Sequence, residues 1–432
     1  MSTTVPERPI EPAAEHVGPP AHAHRDSQAA PDHSAFPALD GIRALAVAMV
    51  VGTHAAYWTY RYGRGAGSGL LVHLDSGVAL FFVLSGFLLS RPWLIAAATG
   101  GPAPFLRVYA WRRLLRIVPA YWAAVVLAFL VLRDNRTVTA ADWLRHLSFV
   151  QVYHLGWLRA GLTQTWSLCA EVAFYVLLPG LGVLALIASR HFGWRPALLV
   201  GGCVVLLAAT IAWYVWSHAE GWSALTPANF WLPGHLSWFG GGMVMAVIEV
   251  HLNRRPAAGH GRWRLANELG ASPGACWLIA LGLFIVAATP IAGPRTVGLI
   301  TTTEAIVRNL LYLALAMLIA WPAVFGPRTW ANAVFANRPM RWLGELSYSI
   351  FLLHLVVLEG AMNLLGYRLF TGSASAVFLL TMAGSIVLAS ISYRFIELPA
   401  MSLRRRVRPT RGAPTRPDAG PPDADPPVAS TR

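Results

Sequence analysis

Ten long apolar stretches constrain this chain more than anything else in it. They lie near residues 42–60, 77–95, 115–132, 169–189, 197–217, 229–249, 274–292, 303–325, 346–366 and 374–396. Each can cross a bilayer as a helix, which takes about 20 residues. A chain built this way cannot close into a soluble globule, so the expected fold is an all-α polytopic membrane protein of about ten transmembrane helices. Composition agrees: 56% of the residues are hydrophobic and 12% are charged, against roughly 25% charged in a soluble domain.

Two tails flank the membrane region expected at 37–400. Residues 1–36 are rich in Pro, Ala, His and Glu. They lack the apolar run of about 7–15 residues that a signal peptide needs, so they read as a disordered tail. Residues 401–432 form a second tail, basic at first and then rich in Pro and Asp.

The net charge of +14 comes from 34 basic residues, all of them Arg. In a soluble protein such an excess points to nucleic acid. In a membrane chain it sets orientation and attracts anionic partners on one side, and no nucleic-acid partner is expected. An even number of crossings puts both termini on one side. With the N-terminus inside, 25 arginines fall on inner segments and 9 on outer ones. The positive-inside rule then places both tails in the cytoplasm. Absence of Lys hints at a GC-rich bacterial source, hence a plasma (inner) membrane. Cys169, Cys203 and Cys276 are widely spaced in apolar runs, so neither a disulfide framework nor a zinc site is expected.

Ionisable groups inside a bilayer are costly, which makes each one a functional candidate. The first stretch carries Arg43 and, eleven residues later, His54. Eleven residues are roughly three turns plus 20°, so both side chains share a helix face about 16 Å apart along the axis. Either alone has a plain reading, a helix-packing His or a snorkelling Arg; the shared face makes the pair more informative. Ser85-Gly86 in the second stretch reads as a close-packing pair. Arg112, Arg113 and Arg116 cluster where a cytoplasmic phosphate can reach them, and the guanidinium fork suits phosphate; lipid-headgroup anchoring is the alternative. Glu171 opens the fourth stretch, Glu345 and His354 lie in the ninth, and Arg394 and Glu397, three apart, read as an ion pair. The chain has no nucleophile elbow of the GxSxG type and no phosphate-binding P-loop. It shows no internal repeat of the kind common in transporters.

Five blocks, LDGIRALAV with GTHA, GVALFFVLSGFLLSR, RRLLRIVPAYW, TWSLCAEVAFYVLLP, and LSYSIFLLH with SYRFIELP, together resemble the acyltransferase-3 family of integral-membrane O-acyltransferases. The resemblance covers about 37–400. It implies ten spans and transfer of an acyl group, often acetyl, from cytoplasmic acyl-CoA to a hydroxyl of a sugar, glycolipid, cell-wall glycan or macrolide. No bound cofactor is implied, acyl-CoA being the donor substrate. Arg43 and His54 match the family's essential pair, and Arg113 and Arg116 its RxxR motif, associated with acyl-CoA binding. Glu171 belongs with Trp166 and Ser167 to the fourth block and joins the expected catalytic set. Trp166, Ser167, Tyr121, Ser85 and His354 are expected to bind the acceptor or support the site. In one departure, Ala79 stands where many members have Asp; Asp75, four residues earlier, is a possible substitute. Only about 32 residues follow the last stretch, too few for the hydrolase-like domain that some members append. The expected activity is acylation of a cell-envelope glycan or glycolipid. Acylation of a small glycosylated natural product, a proton-coupled transporter or flippase, and a silent scaffold are the competing readings.

Overall fold

A computed structural model of the chain describes residues 36–63, 67–220, 227–255, 263–294, 300–327 and 330–406. Nearly all of both expected tails lies outside these residues, so they leave tail order and the side of the termini unaddressed. Every regular element among the described residues is helical. The long ones are α1 (Pro37–Trp58), α2 (Gly77–Thr99), α3 (Leu106–Val131), α4 (Trp166–Phe192), α5 (Pro196–Ala219) and α6 (Leu236–Arg254). After α7 (Arg264–Ala271) and α8 (Pro273–Ala287) come α9 (Thr302–Phe325), α10 (Arg338–Leu364) and α11 (Ala374–Ser392).

The helix starts follow local chemistry. Pro37 and Pro196 occupy first-turn positions in α1 and α5, where the missing N–H has no helical partner to lose. Thr301 and Glu304 form a reciprocal capping box at the start of α9, and Asn337 Oδ1 accepts from the Met340 N–H, 2.9 Å, at the start of α10. Each satisfies a donor that a helix end leaves orphaned.

Ten crossings were expected. Among the described residues eight helices are long and apolar enough to span, or nine if α7 and α8, bent by 88°, form one broken span. The stretch expected at 229–249 begins later, as the 19-residue α6. Gly240, Gly241, Gly242 and Glu249 make it less apolar than the others, and it is sheltered by protein. Burial separates inner from outer helices: the apolar windows of α1 and α10 are 67% and 72% buried, those of α5 and α11 only 17% and 22%. The latter two carry exposed Leu, Val and Ile, as lipid-facing helices do.

The centre is built from α1, α2, α6 and α10. The most extensive pairing is α2 on α6. It depends on glycine: a Cβ on Gly86 would come within 2.1 Å of the Phe239 carbonyl oxygen, and one on Gly242 within 2.0 Å of the Val83 carbonyl oxygen. The close packing expected at Ser85-Gly86 is therefore carried by Gly86 alone. Cys169, Cys203 and Cys276 are buried free thiols.

The expected Arg394–Glu397 pair is replaced by another arrangement. Residues Tyr393–Glu397 form a π-helical turn, which breaks the α-helical spacing on which an i,i+3 pair depends. The buried Glu397 carboxylate accepts from Ser349 Oγ on α10 instead.

Candidate active site

α1 holds the expected pair toward opposite ends. Arg43 lies six residues after the first residue of α1, and His54 lies four before its last. α2 and α3 then run so that Arg91, Arg113 and Arg116 return to the Arg43 end.

There a cavity of about 1170 Å³, counting its open mouth, is lined by Arg43, Arg91, Arg113 and Arg116 together with Ser85, Ser167, Glu171, Tyr175 and Ser347. Its remaining walls are mostly apolar, with Val78, Phe81, Leu88 and Phe351 among them. Arg43 Nε reaches Ser347 Oγ at 3.4 Å. Glu171 Oε1 accepts from both Ser85 Oγ and Tyr175 Oη at 2.6 Å each. The Arg113 guanidinium stands 5.7 Å from the centre of the Tyr175 ring, within cation–π range. Glu171 is thus held by hydroxyl donors, and its bonds run to Ser85 and Tyr175, not to His54.

Arg91 makes a bidentate pair with Glu249 of α6, at 2.9 and 3.0 Å. Glu249 therefore answers one guanidinium, and Glu171 is the single carboxylate lining the cavity against the other three. Arg404 adds to the excess. Burial, then repulsion from Arg116, Arg113 and Arg112, lowers its pKa from its usual value to about 10. Its Nε is buried and lacks a hydrogen-bond partner among the described residues. Clustered guanidinium groups at the rim of an apolar cavity are an arrangement that can receive an anion on an apolar arm. Arg112 stands in this cluster without lining the cavity.

His54 is half-buried and outside the cavity lining. Its Nδ1 lies 2.8 Å from the Val50 carbonyl oxygen and 3.3 Å from His354 Nε2. The ring centroids are 5.0 Å apart. His354 is fully buried, with Nδ1 2.7 Å from the Phe351 carbonyl oxygen. These carbonyls can only accept, so each Nδ1 carries the hydrogen. The single His54 Nδ1–H is then shared between the Val50 carbonyl oxygen, the nearer acceptor, and His354 Nε2, and His54 Nε2 is left with its lone pair. That is the tautomer a general base needs. Phe351 connects the two places: it lines the cavity, and its ring centroid is 5.9 Å from that of His354.

The other expected residues divide. Ser85 and Ser167 line the cavity. Trp166 does not; its ring packs on Phe230 and His235, at 5.0 Å each. Tyr121 is enclosed, accepting from Gln151 Nε2 at 3.1 Å and stacked on Phe149. The sequence reading missed Arg91, Tyr175, Ser347 and Arg404. Tyr175 was legible, being four residues after Glu171 on one helix face. The others needed the fold.

A family profile described as an acyltransferase domain, acyltransferase-3, matches residues 36–394. The chain is 23% identical over 380 residues to "Peptidoglycan O-acetyltransferase OatA" of Listeria monocytogenes, covering 84% of this chain and 55% of that protein. It is 24% identical to "Nodulation protein 10" of Rhizobium leguminosarum, covering 85% of this chain and 93% of the relative. It is 27% identical to "Acyltransferase MdmB" of Streptomyces mycarofaciens, covering 88% and 95%. The chain spans about half the length of the peptidoglycan O-acetyltransferases it matches. No solved structure matches. With the profile running through α1 to α11 and the arginine cavity inside its bounds, the chain belongs to the acyltransferase-3 family of membrane proteins.

Proposed function

We propose that this protein is an O-acyltransferase of a bacterial inner membrane. It moves an acyl group, acetyl in the simplest case, from cytoplasmic acyl-CoA to a hydroxyl of a cell-envelope glycan or glycolipid. The observation that carries the reading is the cavity lined by Arg43, Arg113 and Arg116 together with Glu171 and apolar walls. Its charge and apolar walls suit the phosphates and pantetheine arm of a CoA thioester. The relatives' names point to acyl transfer, two of them to O-acetylation of peptidoglycan.

In this mechanism the CoA phosphates rest on Arg113 and Arg116, with Arg112 and Arg404 extending the cationic rim. The arm runs past Arg43 and Phe351 toward the far end of α1. His54 Nε2 takes the proton of the acceptor hydroxyl as its oxygen attacks the thioester carbonyl. The carbon–sulfur bond breaks, and the CoA thiolate receives that proton from His54. His354 holds the His54 ring through Nδ1 and leaves Nε2 free. Glu171, held by Ser85 and Tyr175, offsets part of the arginine charge beside the arm.

The test is release of CoA thiol from acetyl-CoA by purified protein given envelope glycans, with the product identified by mass. His54→Ala should abolish release, and Arg113→Ala with Arg116→Ala should weaken dependence on acetyl-CoA. Full transfer by His54→Ala at equal protein level would remove His54 from the chemistry. Movement of a glycan across the bilayer without thiol release would make the protein a transporter.

A further inference from the structure

A second polar cluster lies at the other end of α1, apart from the arginine cavity. Thr53, the neighbour of His54, hydrogen-bonds to the Tyr62 hydroxyl. Thr53 Oγ1 also lies 3.2 Å from the Val72 carbonyl oxygen, which ties the segment leading into α2 to α1. Asp75 sits in the helical turn His73–Ser76 at the end of that segment. Its Oδ2 accepts from Arg308 Nη2 of α9 at 2.7 Å, and its Oδ1 accepts from the Tyr312 hydroxyl. Arg308 Nε donates to the same hydroxyl at 3.2 Å, and His73 Nδ1 lies 2.6 Å from it.

Two things set this cluster apart from a sealed structural ion pair. The side chains of Asp75 and Arg308 are 39% and 24% exposed, although their partners Tyr312 and His73 are buried. The Nε2 of His73 is also buried without a hydrogen-bond partner among the described residues. The cluster is joined to the base through the chain: Thr53 precedes His54 and bonds to Val72, and the turn that carries Asp75 follows Val72 directly. The ring of Tyr62, bonded to Thr53, stands 5.9 Å from that of Tyr57.

The chemistry it would recognise differs from that of the arginine cavity. A carboxylate paired with a guanidinium is neutral as a unit, so it has little to offer a phosphate. It presents acceptor lone pairs beside N–H donors, the complement of adjacent sugar hydroxyls, each of which donates and accepts.

We propose that Asp75 and Arg308 bind adjacent hydroxyls of the acceptor sugar, so that a neighbouring hydroxyl meets His54 Nε2. The inference rests on the reading of His54 as the base. It gives the two substrates opposite ends of α1, the anionic donor at the Arg43 end and the neutral polyol at the His54 end.

The experiment measures binding of N-acetylchitotetraose, and separately of CoA, to the full chain in nanodiscs. Asp75→Asn and Arg308→Lys should each weaken glycan binding about tenfold, as loss of a charge-assisted hydrogen bond does. CoA binding should stay within about twofold, a change too small to signal a lost contact. Absence of glycan binding by the unaltered protein overturns the proposal, as does glycan binding unchanged in both variants. Parallel loss of glycan and CoA binding also overturns it, because the pair is then structural. If glycan binding depends on Asp75 and Arg308 but no CoA thiol is released from acetyl-CoA and the glycan, the acyl-transfer reading fails and the sugar site stands.

Discussion

His54 and His354 meet with Nδ1 and Nε2 3.3 Å apart, although 300 residues separate them in the chain. The Val50 and Phe351 carbonyl oxygens place the hydrogen of each ring on Nδ1, and the His54 Nδ1–H is shared between the Val50 oxygen and His354 Nε2. On the proposed mechanism His354 is a positioning residue. His354→Ala should lower kcat about tenfold or more and leave the KM for acetyl-CoA near its original value. His354→Gln, whose side-chain oxygen can still accept from His54 Nδ1, should recover part of the loss. His54→Ala should cost about 10²–10⁴-fold, the usual worth of a general base. Equal kcat for the two His354 variants and the unaltered protein would deny His354 any part in orienting the base.

The arginine cluster should reveal itself through salt. Arg113→Ala and Arg116→Ala should each raise the KM for acetyl-CoA about tenfold, in line with lost charge-assisted contacts. The effect should shrink as ionic strength rises, since exposed charge is screened over about 10 Å at 0.1 M. Arg404→Ala should act in the same direction but more weakly. Steady-state kinetics across a salt series checks all three; a KM indifferent to salt would place the CoA phosphates elsewhere.

Glu171 is held by two hydroxyls, which allows its fixing to be separated from its charge. Tyr175→Phe and Ser85→Ala each remove one hydrogen bond and keep the carboxylate, and each should reduce activity less than Glu171→Gln does. Activity of the three variants at matched protein level is the measurement. Tyr175→Phe matching Glu171→Gln would shift the weight to the phenol.

The α2–α6 contact should tolerate no side chain. Gly86→Val and Gly242→Val each drive a Cβ into a backbone carbonyl at about 2 Å. Separation of the helices would also break the Arg91–Glu249 pair. Both variants should lose most folded protein in detergent, as judged by size-exclusion profile and melting temperature. Gly180→Ala, where an added Cβ meets nothing within 4 Å, should fold normally.

Asp142 gives a pH prediction outside the spanning helices. Burial alone would raise its pKa, but Thr139 and Arg159 outweigh that and hold the carboxylate well below its ordinary value. Thr139 bonds it through backbone and side chain, and Arg159 Nη2 lies 2.7 Å away. A depressed pKa stabilises the fold at pH values above the unfolded group's pKa, about 3.9. That contribution fades as pH falls through the folded value. Asp142→Asn should therefore lower the melting temperature by about 2–4 °C at pH 7, and the gap should narrow toward pH 3. A gap independent of pH would mean that the carboxylate's charge is idle.

The sequence disclosed the spanning helices because lipid leaves long apolar runs no other fold. It mispresented α6, whose glycines and Glu249 lower its hydropathy and are sheltered by α2, α5 and α9. Nor did it disclose the 88° bend between α7 and α8. Arg43, Arg113, Arg116 and Glu171 could be nominated locally, since each is costly where it stands. Arg91, inside the second stretch, was not singled out, because its partner Glu249 is 158 residues away. The His54–His354 contact was illegible for the same reason. Tyr121 and Trp166 sit in family blocks, but their side chains are spent on packing. Ala79 is fully enclosed in the core, while Asp75 lies before α2 begins, in the turn His73–Ser76, and pairs with Arg308.

An α-helix does not stretch, so α1 serves as a gauge. Ten residues between Arg43 and His54 fix the distance from anchor to base at about 16 Å. A compact acyl phosphate seated on the arginines has no arm with which to bring its carbonyl that far. On the proposed mechanism the gauge would select the donor by reach, admitting an acyl group only at the end of a long tether. Inserting a single residue into α1 between the two would turn His54 by about 100° and leave the tether's end facing the wrong side.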